Sequence, residues 1–166
     1  MSSQEKLIIL AVNYEADNMA LRFARSVTDA AGDPRRVSIV IVDNTTSRQP
    51  DTLFKGLRAI TPDVVTIHPG ANLGYYIGAH YGLQQCLEQG AYFSWVVVSN
   101  VDVEFDNGFF TNLLSIDYRQ QNVGVLAPSI WSSHRRRDLN PFMRVRPSRS
   151  RMRRVKAVYR NQFTIN

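Results

Sequence analysis

Three apolar runs, each closed by asparagine or aspartate, constrain this chain more than any other feature. Leu7-Ile8-Ile9-Leu10-Ala11-Val12 leads into Asn13-Tyr14, Val37-Ser38-Ile39-Val40-Ile41-Val42 into Asp43-Asn44, and Trp95-Val96-Val97-Val98-Ser99 into Asn100-Val101-Asp102. Runs this continuous, without the alternation of a half-exposed strand, read as strands of a parallel sheet covered on both faces. Helical spacing lies between them. Ala20, Phe23, Ala24, Val27 and Ala31 predict one helix, with Asp17 as its cap and Gly32 and Pro34 as its stop. Leu53, Phe54, Leu57 and Ile60 predict a second, from about Pro50 to Thr61-Pro62. Residues 64–67 read as a short strand that turns out through His68-Pro69-Gly70. Residues 75–89 read as a helix with Tyr76, Ala79, Leu83 and Leu87 on one face, residues 108–114 as a short helix, and residues 123–128 as a fifth strand. The alternation predicts an α/β fold, a mainly parallel sheet flanked by helices.

The totals bound what this fold can be. At 166 residues and 44% hydrophobic, one domain with a real core is expected. No apolar run approaches the roughly 18 residues of a membrane span. Lys6 precedes too short an apolar run for a secretory signal, so the expectation is a cytoplasmic protein. The single Cys86 forms no internal disulfide. The formal net charge of +6 hides a strong asymmetry. Residues 1–134 carry nine basic and thirteen acidic side chains, and residues 135–166 carry eleven basic and one acidic. The expected organisation is therefore a binding domain over residues 1–131 and a basic, Arg-rich segment over residues 132–166.

Several chemistries are excluded by the residues after the first strand and by missing motifs. A dinucleotide fingerprint needs glycines immediately after that strand, where Asn13-Tyr14-Glu15-Ala16-Asp17 stand instead. No phosphate loop ending in Gly-Lys-Ser/Thr and no G-x-S-x-G elbow occurs. One cysteine and three scattered histidines do not make a zinc site. What remains is polar residues at strand ends: Asn13-Tyr14, Asp43-Asn44, Asn72 and Asn100-x-Asp102. In a parallel sheet these share one edge, the carboxyl edge where open α/β sheets bind ligands. An aspartate there holds a hard cation through oxygen, and that cation holds a diphosphate. Gly74, Gly78 and Gly82 are spaced four apart, a bare ridge that lets another backbone, a sheet or a ligand come close.

In this order, Val12-Asn13-Tyr14, Ile41-Val42-Asp43-Asn44, Asn72-Leu73-Gly74 with Gly78, and Ser99-Asn100-Val101-Asp102-Val103 resemble the family 2 nucleotide-sugar glycosyltransferases, most of all their rhamnosyltransferase-like branch. The resemblance covers about residues 6–130. It implies the Rossmann-like nucleotide-diphospho-sugar transferase A-type fold, and metal-dependent, inverting transfer of a sugar from a nucleoside diphosphate to an acceptor hydroxyl. By position, Asp43 accepts hydrogen bonds from the nucleobase, Asn13 and Tyr14 line base and ribose, and Asn72 and Gly74 shape the nucleotide pocket. Asp102 binds Mg²⁺ or Mn²⁺, with Asn100 at the first position of the family's Asp-x-Asp element. Such an ion neutralises the diphosphate leaving group as a Lewis acid.

Two points depart from the pattern. The family's general base lies beyond the metal motif, and here the last acid is Asp138, the one late candidate for that role. The family's catalytic domain is also longer, so the chain is expected to be either the donor-binding portion of a larger enzyme or a shortened relative. The alternative class is a non-catalytic nucleotide-binding module with a basic tail. That tail suits anionic lipid headgroups near a glycan or lipid-linked acceptor, which would make the protein peripheral at the inner membrane face. It carries no nucleic-acid motif, so nucleic acid ranks below the membrane as its partner.

Overall fold

The sequence of apolar runs and helical segments builds a sheet covered unequally on its two sides. In the computed structural model, which describes residues 6–116, 124–132 and 134–139, the strands are β1 (Leu7–Asn13), β2 (Val37–Asp43), β3 (Val65–Ile67) and β4 (Trp95–Asn100). All pair in parallel in the order β3-β2-β1-β4. The helices are α1 (Asp17–Ala30), α2 (Asp51–Ile60), α3 (Tyr75–Glu88) and α4 (Phe109–Leu114), with a 3₁₀ turn at Pro34–Arg36 before β2. The α/β, mainly parallel architecture is the one the alternation predicts. Among the described residues no helix is long and apolar enough to cross a membrane.

β1 and β2 are the central strands, and the two faces of the sheet feed two cores. Leu7, Ile9, Ala11, Ile39 and Ile41 join Phe23, Val27, Leu53, Leu57 and Phe110 in the larger one. Ile8, Leu10, Val40 and Val42 join Cys86, with Leu83 and Phe93 packed on them, in the smaller one. Cys86 is buried, and that burial pushes its thiol pKa up.

Helix α3 turns inward only half of the face its apolar periodicity predicts, Ala79 and Leu83 but not Tyr76 and Leu87. Tyr76 is 81% exposed and Leu87 52%, while Gly78, Ala79, Gly82 and Cys86 are buried. Hydrophobicity counting gives glycine no credit, yet glycine is what lets this helix sit down. A Cβ on Gly82 would stand 2.5 Å from Val42 Cγ2 and 2.9 Å from Leu10 Cδ2. The bare ridge is a helix-on-sheet contact there.

Three further expectations are corrected. Asp17 is the first residue inside α1 rather than its cap; Ala16 holds that position, and no side chain caps the helix. The Asp17 carboxylate is drawn instead to Arg48 and Asn13. Among the described residues β4 is an edge strand rather than a buried one, with Val96 and Val98 37% and 45% exposed, because α3 lies over β1 and β2. Finally, residues 124–130, within the expected fifth strand and just past it, belong to no strand, and Val125 is 89% exposed. Gly124 adds no side chain to pack and Pro128 no ladder N–H, so an apolar run alone does not make a strand there.

The chain divides into two compact units, Met1–Ile116 and Asp117–Asn166. The described part of the second is a small hairpin. Its strands are β5 (Trp131–Ser132) and β6 (Arg137–Asp138), antiparallel and closed by Leu139 N–H donating to Ile130 O at 2.7 Å. The basic segment from residue 140 onward lies outside the described residues.

Candidate functional site

Parallel register sets which strand-end residues meet. Asn13 is the cross-strand partner of Asp43, and Val12 of Asn100. Asn13, Asp43 and Asn100 therefore stand on the carboxyl edge of three adjacent strands, with Asp102 two residues further on. β1, β2 and β3 run outward in one direction, and β4 returns to the other side of β1. The topological switch point thus falls between the ends of β1 and β4, where open α/β sheets leave a crevice for ligands.

At the β2 end the polar groups are sealed into a network. Asn13 and the Asp43 carboxylate are fully buried. Asp43 Oδ1 accepts from Asn13 Nδ2 at 3.0 Å and from Thr45 N–H at 3.2 Å, and Asp43 Oδ2 accepts from Arg48 Nη1 at 3.2 Å. The second guanidinium nitrogen of Arg48 donates to Asp17 Oδ1. His68 Nδ1 donates to the Asp43 carbonyl at 2.9 Å, tying the exit of β3 to the end of β2. A carbonyl only accepts, so the proton sits on Nδ1.

Two loops are stitched together over this network. Glu15, at φ 52°, gives its N–H to Thr45 Oγ1 at 2.8 Å, which fixes the β1–α1 turn against the β2–α2 loop. A left-handed non-glycine residue is costly and persists where the surroundings hold it. Glu15, Asp17, Thr45, Ser47 and Arg48 line a depression of about 570 Å³. Tyr14 is half-exposed beside it in sequence, while Asn13 and Asp43 lie behind its wall.

The loop before α3 is joined to the same edge. Asn44 is buried, and its Nδ2 donates to Gly74 O at 2.9 Å. Asn72 Oδ1 accepts from Gly74 N–H at 2.9 Å. Gly74 itself adopts φ 72°, a conformation that favours glycine, with open space around it. The Asn72 side chain therefore shapes the turn that brings the start of α3 to the rim.

At the β4 end the side chains are open to solvent. Asn100 and Asp102 are exposed, and neither side chain has a hydrogen-bond or ion-pair partner among the described residues. The backbone beneath them is well held. Val101 is buried, Phe105 N–H donates to Ser26 Oγ at 2.6 Å, and the Phe105 ring packs on Phe23, Phe109 and Phe110. Glu104 pairs with Arg22 at the surface. Tyr75 titrates above its ordinary value, chiefly through burial, then through Tyr76 and Asp102. The Asp102 charge is thus felt at the first turn of α3.

Among the described residues no three His, Cys, Asp or Glu side chains cluster as a metal cage. A cation held at Asp102 would take most of its ligands from a diphosphate and water, the usual arrangement for Mg²⁺ beside one or two carboxylates. The exposed, unpaired Asn100 and Asp102 oxygens fit that arrangement.

Asp138 lies in the second unit, on β6 opposite Trp131, and its side chain falls outside the described residues. Reading the sequence missed Asp17, Thr45 and Arg48, since residues 45–49 pass for an ordinary polar loop. A signal was present: Arg48 is the sole basic residue between Val37 and Phe54.

No protein-family model matches the chain. Its sequence is similar to the N-acetylglucosaminyl-diphospho-decaprenol L-rhamnosyltransferase of Mycobacterium tuberculosis, in strains CDC 1551 / Oshkosh and ATCC 25618 / H37Rv. The two are 30% identical over 131 residues, covering 75% of this chain and 41% of each relative. The chain thus spans about two-fifths of the length of these relatives. Its fold is similar to a mannosyltransferase from Pyrobaculum calidifontis solved in complex with GDP-Man and Mn²⁺. That match has a TM-score of 0.52 and 13% identity, and covers 68% of this chain and 31% of the other.

Proposed function

We propose that the chain, similar in sequence to the two L-rhamnosyltransferases and sharing the fold of a nucleotide-sugar transferase, is the donor-binding portion of a family 2 glycosyltransferase and binds a nucleoside diphosphate sugar. One observation carries this reading. The parallel register brings Asn13, Asp43 and Asn100, with Asp102 just beyond, to one edge of one sheet at its switch point. Substrate and acceptor are drawn from the relatives: a nucleotide sugar as donor, and a lipid-linked glycan hydroxyl as acceptor.

The division of work follows from burial. Asp43, buried and acceptor-only, is the group that takes an N–H from the base. Tyr14 stands beside base and ribose with Asn13 behind it holding Asp43, and Asn72 and Gly74 hold the loop where the pocket meets α3. Asp102 and Asn100, being exposed and unpaired, are the residues that would hold Mg²⁺ or Mn²⁺. The ion supplies charge neutralisation on the leaving diphosphate. Phe105 and Ser26 keep the Asp102 loop in place, so the carboxylate needs little reorganisation when a ligand arrives. Inverting transfer would also need a base on the acceptor hydroxyl, and Asp138 is the candidate for it. Cytoplasmic placement at a membrane surface, reached through the basic segment, completes the proposal.

A thermal-shift panel of UDP, dTDP and GDP with and without Mn²⁺ tests the donor site, because a ligand that binds only the folded form raises the melting temperature. One of the three should shift the transition, and more strongly with Mn²⁺. No shift by any of them overturns the reading. The alternative is a nucleotide-binding module without turnover. Binding without donor hydrolysis or transfer would select it.

A further inference from the structure

Asn44 joins the sealed end of β2 to the first turn of α3, and the peptide that carries it is fixed from both sides. The Asp43 carbonyl accepts from His68 Nδ1 at 2.9 Å, and the Asn44 N–H donates to the Asn13 carbonyl at 2.8 Å. From that fixed peptide a side chain only 1% exposed reaches α3. Its Nδ2 donates to Gly74 O at 2.9 Å, the same oxygen that accepts the first helical bond, from Gly78 N–H at 3.1 Å. One turn on, Gly78 lies against the amide: a Cβ there would stand 3.1 Å from Asn44 Nδ2 and 3.3 Å from Oδ1. Oδ1 is buried and has no hydrogen-bond partner among the described residues. An orphaned acceptor is costly, yet turning the amide over would set one carbonyl oxygen against another. The bond to Gly74 is what holds the side chain this way round.

Resting on the nucleotide reading above, we propose that Asn44 is a positioning residue of the donor site: a short strut from the end of β2 that sets where the first turn of α3, with Gly74 and Tyr75, stands along the carboxyl edge. It acts through α3, since its own side chain is enclosed. The turn has little else to hold it. Tyr76 and Ile77 are exposed, so no core grips it, and no side chain caps the helix. Asn72 binds the Gly74 N–H from within the same loop, which shapes the turn without tying it to the sheet. Further along, α3 meets the sheet through Gly78, Ala79 and Gly82, residues too small to interlock. Such a contact gives closeness but no register along the helix axis, and the Asn44 bond supplies the register. The Asp102 charge is felt at Tyr75 in that same turn, so a displaced turn alters the wall between the two ends of the site.

Calorimetric titration of the full chain with UDP, dTDP and GDP in Mn²⁺, at a temperature where each protein is folded, tests this in the wild type, Asn44→Asp, Asn44→Ala, Gly78→Ala and the double variant. Asn44→Asp keeps the shape and sets a carboxylate against the Gly74 carbonyl, and should weaken the tightest-binding nucleotide about tenfold near about pH 8. Burial and that facing carbonyl raise the pKa of the new carboxyl, and once protonated it donates to Gly74 O again. Its deficit relative to the wild type should therefore shrink as the pH falls toward about 5.5. His68 and Asp102 are present in both proteins, so the ratio isolates the new group. Gly78→Ala gains helix propensity but presses on the Asn44 amide, and should weaken binding about threefold with the melting temperature little changed. It also serves if Asn44→Asp folds poorly. Asn44→Ala makes room for that methyl, so the double variant should lose less than the two single changes together. If the folded variants bind as the wild type does, Asn44 is structural only, and this inference is overturned with the nucleotide reading intact. A deficit in Asn44→Asp that keeps its size at every pH overturns it too, because the bond to Gly74 is then not what matters. If the wild type binds none of the three nucleotides, the nucleotide reading falls and this inference falls with it.

Discussion

Two aspartates close two strands of one sheet, and their surroundings are opposite. At the end of β2 the Asp43 side chain is wholly buried and held by Arg48, Asn13 and Thr45. At the end of β4 Asp102 is exposed and unpaired among the described residues. β2 lies between two strands, with cores on both of its faces, and among the described residues β4 is an edge strand with one face open. The same residue type at an equivalent strand end thus becomes a buried anchor in one place and an open ligand in the other. Sheet position makes the difference, and under the proposed function it suits the first to recognition and the second to cation binding.

The largest expected effect lies at the anchored end. Asp43→Ala leaves the Thr45 N–H and part of the Arg48 guanidinium without an acceptor, and should cost about 3 kcal/mol of stability in urea denaturation. A loss near zero would mean the network is not the anchor described. Gly82→Ala strikes the support under the same strand, since its Cβ meets Val42 and Leu10 too closely. Overpacking of this kind should cost about 2 kcal/mol and weaken nucleotide binding by lifting α3. Unchanged stability would show that the helix shifts freely.

At the open end the effects should be smaller on folding and larger on ligand. Ser26→Ala removes the acceptor of the Phe105 N–H and should cost about 1 kcal/mol. It should also weaken Mn²⁺-dependent nucleotide binding more than metal-free binding, and equal weakening of both would contradict the anchoring role. Asp102→Ala should change stability by less than about 0.5 kcal/mol, as exposed unpaired residues do, while abolishing the Mn²⁺-dependent part of the thermal shift. Survival of that part unchanged would remove Asp102 from the metal site. The smallest signal is electrostatic. Asp102→Asn should lower the Tyr75 titration slightly toward 10.0, because Asp102 is one of the groups that raise it. An NMR titration of the tyrosine ring reads this shift, and no shift would place the two groups farther apart.

Much of this was legible in the chain itself. The apolar runs at residues 7–12 and 37–42, the second broken only by an exposed Ser38 near its start, identified the two central strands, because a strand buried on both faces has few polar positions to spare. The polar residues closing them marked the edge where a ligand would bind, since parallel strands end together. Other features depended on partners distant in sequence. The packing face of α3 was hidden because glycine carries no hydrophobic signal, and only Val42 and Leu10 beneath it reveal the fit. The run at residues 124–128 looked like a strand, but no ladder takes up its described residues.

Local periodicity and composition were enough to specify an α/β chain, its central strands and the polar residues at their ends. They could not say which of those ends is sealed and which is open; three-dimensional packing alone settled that. Packing also brought Arg48 and Asp17 to Asp43 from 5 and 26 positions away, because burial and ion pairing belong to neighbours in space rather than along the chain.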